Sequence, residues 1–233
     1  MVDLTLEMAA LAERLGPPPG ERARLIQFVS AEPGEGTSTV AREFARAMSA
    51  GAQKGVWLVD LDLLKGDQFD EIAGDAKRYG PLGAPVRASP NQTAFFSVTP
   101  STRNRDGRPW PDASYLAAYA VGGRRWWVTR FRKEALKPGQ HVDILAEPAY
   151  WDSLRRHADY VVVDAPALSR SRAAVALAPL MDATVMVVAA DAKHPESHAR
   201  LRDALKSVGA RCPGVFLNRA PAEPPGFLSA LAR

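Results

Sequence analysis

The sequence predicts an α/β fold: a mostly parallel, doubly wound sheet with helices on both faces and an irregular central insertion. Three observations predict it. Short β-rich apolar runs alternate with helical stretches, the pattern of parallel strands covered on both sides. One strand-to-helix junction is rich in glycine, and two strands end in aspartate. The chain has 233 residues, 46% hydrophobic and 24% charged, enough to bury a real core and too apolar for wholesale disorder. A single cysteine, Cys212, excludes an intramolecular disulfide framework and any multi-cysteine metal site, and points to a reducing compartment.

Taken in order, Leu4, Met8, Leu11 and Leu15 recur at helical spacing, which predicts an amphipathic helix over Asp3–Leu15. Gly16-Pro17-Pro18-Pro19-Gly20 ends it and forms a stiff linker. Strands are expected at Leu25–Ser30, Val56–Asp60, Val142–Leu145, Tyr160–Asp164, Thr184–Ala189 and Gly214–Asn218. Helices are expected at Ser38–Ser49, Ala149–Arg156, Ser171–Ala178 and Glu196–Ser207. Six prolines between Gly80 and Pro111 break the rhythm and predict a long loop. The organisation is therefore 1–20 as helix and linker, 21–219 as the main domain with an insertion at about 66–147, and 220–233 as a tail. The N-terminal stretch carries Asp3, Glu7 and Glu13 and lacks a signal-peptide pattern. The most apolar run, Ala173–Ala190, is interrupted by Pro179 and Asp182, so no membrane span and a cytoplasmic location are expected.

The chemistry concentrates in Ser30-Ala31-Glu32-Pro33-Gly34-Glu35-Gly36-Thr37-Ser38-Thr39. Gly34 and Gly36 let the backbone curl so that successive N–H groups point inward, and the following helix adds its positive end. The result is an anion nest built from Pro33, Gly34, Glu35, Gly36, Thr37, Ser38 and Thr39. A phosphate loop places lysine after its last glycine, whereas this chain has Thr37 there. Read alone, the stretch also fits a ligand-free strand-to-helix turn. Asp60, Asp62 and Asp164 shift the balance, because acids at the carboxyl ends of parallel strands lie on the ligand side of such a sheet. Ser38, Asp60 and Asp164 could hold magnesium, and Asp60, Asp62 and Asp164 could position an attacking hydroxyl.

With these residues in place the chain resembles the bacterial tyrosine kinase (BY-kinase) domain, the partner of polysaccharide chain-length regulators. That domain is one of the MinD/ParA-like deviant phosphate-loop NTPases. The matches are Ser30, Pro33, Gly34, Gly36, Ser38 and Thr39 in the first motif, Asp60 and Asp62 in the second, and Asp164 and Pro166 in the third. Met181–Val188 and Gly214–Asn218 extend the likeness, and the resemblance implies an adenine contact for Asn218. It also implies ATP or ADP and magnesium as cofactors, oligomerisation, and docking on the cytoplasmic segments of a membrane polysaccharide co-polymerase at the inner membrane. No nucleic acid is expected. The departures are Thr37 for the lysine, Leu64 for an arginine and Ala167 for a proline, and the last tyrosine in the sequence is Tyr160. The expected function is that of a degenerate phosphate-loop protein of exopolysaccharide biosynthesis and export, a pseudokinase or regulatory partner that binds nucleotide. The alternative is an active ATPase or tyrosine autokinase with an altered loop, and more distantly a partition-type ATPase.

One further stretch stands out. Gly122–Lys137 holds six basic residues against the single acid Glu134, net +5 in a chain whose total is +4. Its alternation over Arg124–Lys133, with Trp126 and Trp127, fits an exposed edge hairpin guarded by arginines. It also suits contact with an anionic membrane surface.

Overall fold

The computed structural model describes residues 4–18, 20–103 and 106–220. The expected tail lies outside these residues except for Ala220. In chain order the elements are α1 (Thr5–Leu15), β1 (Arg24–Val29), α2 (Thr37–Ser49), β2 (Val56–Asp60), α3 (Asp67–Gly74), α4 (Ala76–Tyr79), β3 (Leu82–Arg87) and β4 (Phe96–Thr99). There follow β5 (Leu116–Val121), β6 (Trp126–Phe131), β7 (His141–Ile144), α5 (Pro148–His157), β8 (Tyr160–Asp164), α6 (Ala173–Leu177), β9 (Ala183–Ala189), α7 (Pro195–Ser207) and β10 (Val215–Asn218). Eight strands form one sheet in the order β10-β9-β1-β8-β2-β6-β5-β3, and β4 and β7 form a separate antiparallel ribbon.

From β10 to β6 every pairing is parallel; β5 runs antiparallel to β6, and β3 antiparallel to β5. The period of two along each strand splits the core. On β1, Ile26 and Phe28 join Phe44 of α2, Met8 of α1 and Ile72 of α3, while Leu25 and Val29 join Trp151 of α5 and Leu201 of α7. Each interior strand is buried on both faces, which is why these segments read as nearly unbroken apolar runs. Among the described residues no helix is long and apolar enough to cross a membrane.

Two expectations are corrected. Residues 80–111 hold two strands, β3 and β4, rather than one long loop. The basic aromatic stretch is no exposed edge: β6 lies inside the sheet between β2 and β5. Trp126 is buried, and Trp127 stacks on Trp57 with ring centroids 5.8 Å apart. Four of its six cations sit at the two ends of the strand, Arg124 and Arg125 before it and Arg132 and Lys133 after it; Arg130 lies within the strand, paired with Glu134. The structure therefore shows two separate basic ends, and the sheet supplies the edge elsewhere, at β3 and β10.

Candidate functional site

The strands β1, β2 and β8 end side by side, with Phe28 in register with Asp164, and Asp164 with Asp60. The loop after β1 runs into α2 at the same end. Gly34 and Gly36 have φ of 86° and 89°, a left-handed conformation that favours glycine. No side chain caps the N-terminus of α2, so its first backbone N–H groups and its dipole face the cleft. That cleft has a volume of about 370 Å3, and its lining includes Pro33, Gly34, Gly36, Thr37, Ser38, Thr39, Asp60, Asp62 and Asp164. Nine of the expected site residues are thus brought together.

Glu35 and Asn218, by contrast, stand behind the loop. The Glu35 carboxylate is buried, accepts from the backbone N–H of Ala31 and Glu32 at 3.1 Å each, and meets Nε2 of His198 at 2.6 Å. Nδ2 of Asn218 donates to the Glu35 carbonyl at 2.9 Å. It lies so close that a Cβ on Gly36 would be 2.0 Å from it. Glu32 also turns away from the cleft: hydrogen bonds from Ser197 and Ser169 hold its carboxyl below the usual range. Both acids of the loop are thus drawn toward the first turn of α7, which leaves the nest free of negative charge.

The opposite wall is acidic. Burial, and then the neighbouring Asp164, push the Asp60 carboxyl well above its ordinary range. Burial pushes Asp164 up to about 6 against the lowering effect of hydrogen bonds from Gln68 and Ser38. Gln68, fully buried in the first turn of α3, holds the pair: its backbone N–H donates to Asp60 Oδ2 at 3.2 Å, and Nε2 donates to Asp164 Oδ2 at 2.7 Å. Its amide oxygen accepts from Arg42 at 2.9 Å. Oδ1 of Asp164 and Oγ1 of Thr37 are buried with no hydrogen-bond partner among the described residues.

These two orphaned oxygens and the Ser38 hydroxyl fit a hard cation and the phosphates it accompanies. Among the described residues no group of three or more His, Cys, Asp or Glu side chains is set to hold a metal ion. Magnesium would therefore rely on Ser38, Asp60 and Asp164 together with phosphate oxygens and water, its usual manner of binding.

Three cations line the cleft, Lys65, Arg170 and Arg219, and the sequence singled out neither arginine. Arg170 pairs with Asp62 at 2.8 Å, Lys65 pairs with Asp67, and Arg219 donates to the Gly34 carbonyl. Gln68 was missed as well. Each is an isolated polar residue in a loop or first turn, and no spacing marks it out.

No family profile matches the chain. The succinoglycan biosynthesis transport protein ExoP of Rhizobium meliloti (strain 1021) is 30% identical over 207 residues, which cover 86% of this chain and 23% of ExoP. The chain thus spans about a quarter of that relative's length. The kinase domain of the Escherichia coli tyrosine kinase ETK superposes with a TM-score of 0.53 at 13% identity, covering 95% of this chain and 75% of that one. A plasmid partition protein from Borrelia burgdorferi B31, bound to AMPPNP, gives 0.53 at 14% identity, covering 90% and 80%. The chain has the phosphate-loop NTPase fold that this kinase domain and this partition protein share, and over most of its length it is similar in sequence to part of ExoP.

Proposed function

We propose that this domain binds ADP or ATP with magnesium as a regulatory module of exopolysaccharide biosynthesis and export. In this reading it is a pseudokinase that docks on the cytoplasmic segments of a membrane polysaccharide co-polymerase. One observation carries the reading: the loop keeps its anion nest and its facing carboxylates but has Thr37 where the phosphate lysine belongs. Backbone N–H groups and a helix dipole bind phosphate in the ground state. A point charge on the transferring phosphoryl group is worth on the order of several kcal/mol in the transition state, so its loss removes rate more than affinity. Magnesium, when bound, would offset the charge of the phosphates. Ser38, Asp60 and Asp164 would hold it, and the loop would orient the phosphates. The likeness to ExoP, a transport protein of succinoglycan biosynthesis, supports the polysaccharide setting.

Isothermal titration with magnesium–ATP and magnesium–ADP tests binding; heat of binding is expected, and none at high protein concentration sinks the reading. Incubation with radiolabelled ATP tests the rest. Little phosphotyrosine and little released phosphate are expected, whereas strong labelling makes the domain an active autokinase. The presence of Lys65, Arg170 and Arg219 at the cleft favours that second reading, an ATPase or kinase with an altered loop.

A further inference from the structure

The phosphate loop of this chain lacks its own cation, yet a cation from the far edge of the sheet lies on it. Arg219 follows Asn218 at the end of β10, and its φ of 58° is left-handed, uncommon outside glycine. That turn carries the side chain back over the loop, where the guanidinium donates to the carbonyl of Gly34 and lines the cleft with Gly36 and Thr37. The adjoining Asn218 is packed against Gly36 and donates to Glu35, so the end of β10 is clamped to the loop at consecutive residues.

We propose that Arg219 supplies a cation to the phosphates of a nucleotide held in the loop, adding to ground-state binding without restoring the catalytic charge of the missing lysine. The proposal rests on the nucleotide-binding reading above. The site around it is prepared for an anion. Thr37, a buried residue of the cleft lining, has an Oγ1 with no partner among the described residues, and the loop acids Glu32 and Glu35 are turned toward α7. Among the described residues the other side-chain partner of Arg219 is Asp191, whose side chain is 69% exposed and lies 3.3 Å away. An exposed pair of this kind holds weakly, and a planar guanidinium exchanges it readily for two phosphate oxygens. Arg170 is a poorer candidate, because Asp62 engages it at 2.8 Å on the carboxylate wall.

The test is isothermal titration of the full chain with ADP and with inorganic pyrophosphate, which lacks the base. Arg219→Ala should weaken both by roughly ten- to a hundred-fold, the range expected for losing a charge-assisted hydrogen bond. Arg219→Lys should recover most of that loss, and Thr37→Lys placed in the Arg219→Ala protein should restore binding. Thermal melting of Arg219→Ala at the wild-type temperature would show the fold intact. If the wild type binds and Arg219→Ala binds within two-fold of it, Arg219 is not the phosphate cation and the nucleotide reading survives. If the loss appears only in Arg170→Ala, the assignment to Arg219 is overturned. If the wild type binds neither probe, the nucleotide reading falls and this proposal falls with it.

Discussion

The two halves of the large sheet do different work. From β10 to β2 the strands are parallel, buried on both faces, and end in the loop and aspartates that line the cleft. From β6 to β3 the sheet is antiparallel, and with the β4–β7 ribbon it contributes no side chain to that lining. Its substance is aromatic: Phe95 packs on Phe96, Tyr150 and Trp151, and Phe131 on Phe96 and Tyr115. It touches the site through the second layer, where the Thr129 hydroxyl accepts from the Asp60 N–H at 3.2 Å and Lys133 reaches the carbonyl of Leu64. The parallel strands line the cleft, and the inserted half buttresses one wall of it.

The strongest way to break this comparison is to hollow out the buttress. Trp126 is 1% exposed and meets Tyr79 edge-on at 5.9 Å, under the faces of α3 and α4. Trp126→Ala should cost about 3–5 kcal/mol in urea unfolding, through lost burial and the cavity left behind. A loss below about 1 kcal/mol would mean that the inserted half does not share the core of the parallel half.

The second test concerns the carboxylate wall. Asp164 is raised to about 6, and Asp60 is raised too, both chiefly by burial. The folded state therefore holds protons that the unfolded chain releases near pH 4. The stability this gives is fully present below the ordinary aspartate range and is lost as pH rises through about 6. In EDTA, the melting temperature of Asp164→Asn relative to wild type should therefore rise between pH 4 and pH 7, because the amide cannot ionise. The same difference at both pH values would show that Asp164 does not titrate in this window.

The same contrast explains what could be read from the residues. The parallel half announces itself locally: apolar runs bounded by glycine, proline and aspartate fix β1, β2, β8, β9 and β10 to within a residue or two. The cleft was legible for the same reason, since loop and acids are each a short continuous signal. The inserted half was obscured by proline, which removes a ladder donor and argues against a strand. Pro85 is tolerated because β3 is the outer strand of the sheet. The alternation in β6 suggested one wet face, but β2 and β5 flank it and aromatic side chains cover both sides. Arg170, Arg219 and Gln68 reach the site by tertiary approach, and nothing in their sequence neighbours records that.

The smallest effect distinguishes a working surface charge from a packing one. Arg130 pairs with Glu134 at 2.7 Å, and its guanidinium carbon lies 5.2 Å from the centre of the Phe69 ring. Its side chain is 28% exposed, so the ion pair is partly screened and the stem contributes through packing. Arg130→Ala should cost about 1 kcal/mol or less, and Arg130→Met should recover most of it by covering the ring without a charge. If Arg130→Met is as unstable as the alanine variant, the charge matters more than the stem. If neither variant differs from wild type, Arg130 makes no net contribution to the fold. Liposome flotation then becomes the relevant assay, because a cation that does nothing for stability is free to serve an anionic partner.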